Sequence, residues 1–139
     1  MADINGIAHL QLSVTDMKRS VAFYEPLLAA MGMVAVIDDR EKYYYCVGAR
    51  TGLAISPVAE EHVGTAFVQG RTGLHHLCFR ARDRDSVDEL YALARQLGAT
   101  IVREPEESEF APGYYSTLFE DPDGIRIEVN HVPGKGLLK

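Results

Sequence analysis

Alternating apolar and polar residues define the first element of the chain. In the stretch 7–14 the apolar face carries Ala8, Leu10, Leu12 and Val14, and the other face carries His9, Gln11 and Ser13. A period of two with one polar face predicts a half-buried β-strand. Asp16 can cap a helix over 17–31 that Gly32 ends, because apolar residues recur there at helical spacing. Strands are predicted at 33–37, 43–47 and 53–57, which gives the order βαβββ.

The same pattern returns in the second half of the chain. Residues 76–83 read His, apolar, any, apolar, any, apolar, any, Asp, as residues 9–16 do. The predicted elements that follow are a strand at 74–81, a helix capped by Asp83 or Asp85 and ended by Gly98, and strands at 100–103, 114–120 and 125–132. An internal duplication of this kind indicates two copies of one supersecondary unit.

The duplication predicts an α+β fold made of two βαβββ modules. Module one spans about 4–58, module two about 74–132, and a glycine-containing connector at 59–73 joins them within a single domain, 1–139. The acidic segment 104–113 contains two prolines and is predicted to be a mobile surface loop. The turn at 121–124, Asp-Pro-Asp-Gly, has a clear mechanism, since Pro presets φ and Gly accepts φ > 0.

Composition narrows the classes of function. The formal net charge is −6 without a Lys/Arg-rich run, which argues against nucleic acid or an anionic membrane as partner. We find neither an apolar run of about 20 residues nor a signal peptide, so we expect no membrane span. Cys46 and Cys78 have no metal or redox spacing. We therefore expect a reduced cytoplasmic compartment, with both thiols as plain core residues.

The candidate chemistry lies on the polar faces of three strands. His9 and His76 open equivalent strands, and Glu128 shares a face of the last strand with Arg126 and Asn130. If the two modules pair their sheets into one curved surface, His9, His76 and Glu128 can converge. Two imidazoles and a carboxylate form a facial ligand set with open positions for Fe, Mn, Zn, Co or Ni, which suits Lewis-acid or oxygen-activating chemistry.

Simpler interpretations exist for the same residues. A single His on a strand is more often a hydrogen-bonded structural residue than a metal ligand. The duplication favours ligands, because it places both His residues at equivalent positions of the two units. Glu128 could be a surface residue on an edge strand or a salt-bridge partner of Arg126.

The motifs together resemble the vicinal oxygen chelate superfamily. They are His9-Leu-x-Leu-x-Val-x-Asp followed by Ser20-Val-Ala-Phe-Tyr24, the repeat Leu74-His-His76-Leu, and Phe119-Glu-Asp-Pro-Asp-Gly-Ile-Arg-Ile-Glu128-Val. That group contains glyoxalase I, fosfomycin- and bleomycin-resistance proteins, methylmalonyl-CoA epimerase and extradiol dioxygenases. The resemblance implies paired modules forming a cup-shaped, partly closed mixed sheet with the helices outside. It further implies a divalent metal held by His9, His76 and Glu128, and a homodimer.

One ligand position departs from the family pattern. Glyoxalase I and the epimerase use a carboxylate or similar ligand in the last strand of the first module. Alignment of Gly52 with Gly124 places Ser56 opposite Glu128, so that carboxylate is absent. In glyoxalase-type chemistry it is also the expected base for proton abstraction. The chain is therefore predicted to be a metal-dependent enzyme, with an oxygenase favoured over a lyase or isomerase.

Other residues are candidates for substrate contacts or proton transfer. Gln11, Arg80 and Arg126 are expected to bind substrate. Of Tyr114 and Tyr115, one should face the cup as an acid/base candidate and the sequence does not fix which, while packing of either ring on the sheet is an equal alternative. By parity, His75 is expected to point away from His76, toward the helix side.

Two further interpretations of the whole chain remain open. The first is a metal-independent small-molecule binding protein of the bleomycin-resistance type, with the same fold. The second is a conserved scaffold with a vestigial site.

Overall fold

The computed structural model describes residues 1–136 and divides the chain into two compact units, Met1–Thr65 and a second that begins at Ala66. Each unit contains a four-stranded mixed sheet and a helix. The α+β class and the order βαβββ in each half are therefore confirmed. The assignment of 1–139 to a single domain stays a prediction.

The first unit follows the predicted order. Its elements are β1 (Leu10–Val14), α1 (Met17–Ala30), β2 (Val34–Asp39), β3 (Tyr43–Gly48) and β4 (Thr51–Pro57), followed by a 3₁₀ turn (Glu60–His62). The strands lie in the order β1-β4-β3-β2; β1 runs parallel to β4, and the other neighbours are antiparallel. This arrangement leaves β2 at the edge of the sheet.

The second unit repeats the arrangement. Its elements are β5 (Leu77–Arg80), α2 (Arg84–Gln96), β6 (Thr100–Ser108), β7 (Tyr114–Glu120) and β8 (Arg126–His131). The strand order is β5-β8-β7-β6, with β5 parallel to β8 and the other neighbours antiparallel. The strand β8 is interior, with neighbours on both sides.

Equivalent carboxylates start the two helices. The Asp16 side chain accepts a hydrogen bond from the backbone N–H of Arg19, and Asp83 accepts one from Ser86. Each side chain satisfies an N–H group that the first helical turn leaves without a partner, an interaction worth about 1 kcal/mol. The predicted helix starts are thus confirmed, with Asp83 and not Asp85 as the second cap.

The helix α2 covers the apolar face of the second sheet. It packs against β6, β7 and β8. The fully buried side chains of that face include Phe119, Ile127 and Val129, and α2 supplies Val87 and Ala94. Because successive strand residues point to opposite faces, the residues of the other parity on β8, which include Glu128 and Asn130, lie on the face away from α2.

The predicted loop at 104–113 is wrong in its first half. β6 continues through this segment to Ser108 and pairs with β7, with register shifts between Ile101 and Arg103 and between Arg103 and Glu106. Pro105 lies inside the second irregularity of an edge strand, which is where a residue without an N–H donor is tolerated. The acidic composition reflects an exposed edge and not a mobile loop.

Within residues 1–136, we find no helix long and apolar enough to cross a membrane.

Candidate functional site

The second unit brings two of the three predicted ligands together. His76 Nε2 lies 3.2 Å from Glu128 Oε2. His76 directly precedes β5, and Glu128 lies on the neighbouring parallel strand β8, where it is paired with Cys78. Glu128 is buried, with a relative exposure of 8%. The two alternatives for this residue are therefore wrong, because Glu128 is neither on an edge strand nor paired with Arg126, which contacts Glu120 Oε1 at 3.4 Å.

The two oxygens of Glu128 have different partners. Oε1 accepts a hydrogen bond of 2.6 Å from the Tyr114 hydroxyl and lies 3.6 Å from Arg103 Nη2. Oε2 faces His76. Arg103 is held in turn by a 2.7 Å hydrogen bond from Nη2 to Ser116 Oγ. The carboxylate is thus anchored through one oxygen and presents the other to the imidazole.

His75 lies against the second ring nitrogen of His76. His75 Nδ1 is 2.7 Å from His76 Nδ1 and 3.3 Å from Gln69 Nε2. One of the two Nδ1 atoms donates to the other, and in the tautomer in which His76 Nδ1 is the donor, its Nε2 carries the lone pair. The lone pair on His76 Nε2 then points at a carboxylate oxygen, and this contact is favourable only with a proton or a cation between the two atoms.

The His76–Glu128 pair fits a divalent metal. Bonds of about 2.0–2.2 Å to nitrogen and oxygen place two neighbouring ligand atoms about 3 Å apart, close to the observed 3.2 Å. The outer contacts from His75 and Tyr114 are of the kind that orient metal ligands. Within residues 1–136, however, no group of three or more His, Cys, Asp or Glu side chains is arranged to hold a metal ion. Two of the three predicted ligands, His76 and Glu128, thus lie next to each other in the second unit.

The thiol of Cys78 lies beside this pair but is not a thiolate. The Cys78 side chain is exposed, but desolvation by the protein atoms around its thiol, and after it the negative charge of Glu128, raises the pKa of Cys78 to about 12. Without a bound metal the thiol is therefore a neutral neighbour of Glu128, whereas a bound metal would favour the thiolate.

The tyrosines divide between the two faces of the second sheet. The Tyr115 hydroxyl donates a 2.8 Å hydrogen bond to Asp88 Oδ1 on α2. Tyr114 has the opposite parity and contacts Glu128, and its hydroxyl also accepts a 3.0 Å hydrogen bond from Asn130 Nδ2. The structure thus resolves the open choice, because Tyr114 lies at the site and Tyr115 lies against the helix.

The prediction for His75 is wrong. The parity argument requires a strand that already includes residues 74–76, but β5 begins only at Leu77. The irregular backbone before β5 allows consecutive imidazoles to meet, with ring centroids 5.0 Å apart. The adjacent His-His pair was the available signal in the sequence. No comparable signal in the sequence pointed to Arg103. Because β6 contains two register shifts, its pairing with β7 cannot be predicted from simple alternation.

In the first unit His9 has a different neighbour. Its ring lies edge-on to Tyr45, with centroids 6.2 Å apart. Gln11 Nε2 donates a 3.0 Å hydrogen bond to Ser56 Oγ. Of the other predicted substrate residues, Arg80 Nη2 donates to the Val132 carbonyl at 3.4 Å.

The strand registers correct the residue equivalent to Glu128. Gln11 pairs with Ala54 in the first sheet, as Cys78 pairs with Glu128 in the second. Since Gln11 and Cys78 are equivalent in the repeat, the equivalent of Glu128 is Ala54 and not Ser56. Ala54 is fully buried. The position equivalent to Glu128 therefore lacks a carboxylate, as predicted, but it is occupied by Ala54 and not by Ser56.

The two hairpins explain why the glycine alignment failed. In the first, Gly48 pairs with Thr51 across Ala49 and Arg50, whose φ angles are 48° and 65°. In the second, Asp121 N–H bonds to the Ile125 carbonyl, and Gly124 with φ 85° closes a longer loop. Counted between equivalent paired positions, the hairpin between β7 and β8 is one residue longer than the hairpin between β3 and β4. Its glycine, Gly124, lies before β8, whereas Gly52 lies inside β4.

The comparisons with known proteins agree with this architecture. A solved structure of a glyoxalase candidate from Bacillus halodurans is 26% identical, with a TM-score of 0.81 over 92% of this chain and 96% of that one. Lactoylglutathione lyase from Agrobacterium tumefaciens has a TM-score of 0.66 at 20% identity, over 94% of this chain and 96% of that one, and it shows the fold alone.

A sequence relative and a family model point to the same group. The metallothiol transferase FosB of Shouchella clausii (strain KSM-K16) is 26% identical over 127 residues, which cover 91% of this chain and 80% of that protein. The model of the Glyoxalase/Bleomycin resistance protein/Dioxygenase superfamily matches residues 6–129. The chain, with its duplicated βαβββ modules, belongs to the glyoxalase/bleomycin resistance protein/dioxygenase superfamily.

Proposed function

We propose that this protein is a divalent-metal-dependent enzyme that acts on a small organic substrate chelated through two oxygens. The proposed metal ligands are His76, Glu128 and His9, with His9 supplied by the same chain or by a second copy in a homodimer. The metal is Fe, Mn, Zn, Ni or Co. The proposal depends chiefly on the 3.2 Å approach of His76 Nε2 to Glu128 Oε2.

When bound, the metal supplies Lewis-acid or oxygen-activating chemistry. The protein's own residues do the positioning. His75 keeps the proton of His76 on Nδ1, so that Nε2 can act as a ligand. Gln11 and Arg80 are the proposed substrate contacts, because Gln11 lies on β1 two residues after His9, and Arg80 shares the face of β5 that carries Cys78. Arg126 is the third proposed substrate contact. It is the first residue of β8, where its side chain lies next to Glu120.

The position equivalent to Glu128 bears on the type of reaction. Ala54 offers neither a further ligand nor a base for proton abstraction next to a metal-bound carbonyl. We therefore favour oxygenation over a lyase or isomerase reaction. The relative from Shouchella clausii is a metallothiol transferase, which supports metal dependence without deciding between these reactions.

Metal titration of the purified protein tests this proposal. We expect wild-type protein to bind about one Mn²⁺ or Zn²⁺ per chain, and His76→Ala and Glu128→Gln to bind at least about 100-fold more weakly, at the upper end of what loss of a supporting contact costs. His62→Ala, in the exposed 3₁₀ turn, is the matched control and should bind as wild type. Equal metal affinity for all four proteins would contradict the proposal.

A mixing experiment tests the role of His9. The His9→Ala and His76→Ala variants are unfolded together, refolded and titrated with metal. Recovery of up to half of the metal sites in the mixture indicates a site completed by two copies. If each variant binds weakly and mixing restores nothing, the ligands come from one chain. If His9→Ala binds as wild type, His9 is not a ligand.

A metal-independent binding protein is the second candidate. It is favoured by Ala54, which provides no ligand in the first unit at the position equivalent to Glu128. Such a protein would bind a small molecule equally well before and after treatment with a chelator. The metal-dependent enzyme would lose turnover under the same treatment.

A further inference from the structure

We propose that Tyr114 is a positioning residue that fixes Glu128 with one carboxylate oxygen anchored and the other directed at His76. This inference deepens the proposed function and rests on Glu128 being a metal ligand. It also makes a statement about the metal-free protein, because it concerns the orientation of the Glu128 side chain itself.

The direction of the hydrogen bonds carries the first step. Asn130 Nδ2 donates to the Tyr114 oxygen at 3.0 Å, and the Tyr114 hydroxyl donates to Glu128 Oε1 at 2.6 Å. An amide nitrogen has no acceptor capacity, so the phenol proton is directed to Glu128 alone. Asn130 and Glu128 lie on the same face of β8, so both residues that bond to the Tyr114 hydroxyl are held by one strand.

The Tyr114 hydroxyl is the donor in the 2.6 Å contact, because the oxygens of an ionised Glu128 can only accept. A charge-assisted hydrogen bond to a buried carboxylate is stronger than one between neutral groups.

The position of the ring is fixed by the turn that precedes β7. The backbone N–H of Tyr114 bonds to the Ala111 carbonyl at 3.0 Å, and the ring packs edge-on against Phe110 with centroids 5.2 Å apart. The phenol therefore meets Glu128 from a defined direction. Without it, Oε1 keeps only the longer 3.6 Å contact to Arg103, and the carboxylate can rotate.

The neighbouring tyrosine provides a matched control. Tyr115 also donates a hydrogen bond to a carboxylate, 2.8 Å from Asp88 Oδ1, but on the opposite face of the same strand. Tyr114→Phe and Tyr115→Phe each delete one hydroxyl and one such bond. Only the first deletion touches Glu128.

The first readout is metal affinity, measured by competition titration with Mn²⁺ or Zn²⁺ at fixed pH. We expect Tyr114→Phe to weaken binding about 10–100-fold, which is the effect of losing a contact that orients a ligand. Tyr115→Phe should stay within about twofold of wild type. If wild type binds metal and Tyr114→Phe binds it equally well, the inference is overturned while the proposed function stands.

The second readout does not depend on metal. In the metal-free protein, long-range ¹H–¹⁵N NMR spectra of the histidine rings report on the group that faces His76 Nε2. We expect the His76 signals to shift in Tyr114→Phe and to remain in place in Tyr115→Phe. Unchanged His76 signals in Tyr114→Phe overturn the inference. If wild type binds no metal, the proposed function fails, and this spectrum alone decides the role of Tyr114.

Discussion

The two units share a fold but surround their equivalent histidines differently. His76 meets the carboxylate of Glu128, whereas His9 meets the ring of Tyr45. The difference follows from one position, where the second sheet carries Glu128 and the first carries Ala54. Both units have the same strand order, the same helix cap and a histidine before the first strand, and within residues 1–136 the contact between that histidine and a carboxylate is found in the second unit. The two units therefore share a fold without sharing the contacts around the histidine.

Tyr45 and Gly52 complete the contrast in the first unit. A Cβ atom at Gly52 would lie 2.5 Å from the ring of Tyr45. Glycine is therefore needed for this ring to lie across β4, close to the start of β1. The space that polar groups occupy in the second unit is filled by an aromatic side chain in the first.

The largest effect is expected when the missing carboxylate is introduced. Ala54→Glu would bury an acid on β4 without the hydrogen bond from Tyr114 and the contact with Arg103 that anchor Glu128. We expect the free energy of unfolding to fall by about 2–3 kcal/mol, because a buried polar group without partners is costly. Urea unfolding measures this change. Ala35→Glu on the exposed strand β2 is the control and should change stability by less than about 0.5 kcal/mol. Equal losses for the two variants would contradict the distinction between the sheets.

A smaller effect is expected at the support of His76. His75→Ala removes the acceptor of the His76 Nδ1 proton and frees the tautomer that Nε2 ligation requires. Metal affinity should fall about tenfold, or about 1.4 kcal/mol, as measured by competition titration. The His62→Ala control should show no change. Metal binding by His75→Ala that matches the control would mean that the imidazole pair has only a structural role.

The smallest effect is expected at the glycine of the first unit. Gly52→Ala should push the Tyr45 ring aside, and because the ring end can move, we expect a loss of about 1 kcal/mol. Gly70→Ala is the control, since no atom lies within 4 Å of its added Cβ. Thermal unfolding compares the two variants. If both unfold at the wild-type temperature, the ring of Tyr45 does not depend on Gly52.

The sequence predicted the scaffold because its signals are local. The alternation that gives β1, the caps Asp16 and Asp83, and the turn ended by Gly124 each depend on residues close in sequence. The strand predicted at 7–14 begins only at Leu10. The extent of β6 was missed because Pro105 normally indicates a break, yet an irregular edge strand can accommodate it.

The site was predictable only where the repeat constrained it. Glu128 follows from strand parity and His76 from the repeat of His9, and the structure brings the two side chains together. Ala54 was misassigned because hairpins of unequal length shift the register between the modules. His75 was misassigned because it precedes the strand whose parity it was given. Arg103 and the choice of Tyr114 depend on pairing between distant strands, which a single sequence does not specify.

The most direct test is the position of the metal in a crystal grown with Mn²⁺, located by anomalous scattering. The account predicts one strong peak about 2.0–2.2 Å from both His76 Nε2 and Glu128 Oε2. It also predicts no peak at Ala54. A Mn²⁺ peak bound by neither His76 nor Glu128, or no peak at all, would contradict the account.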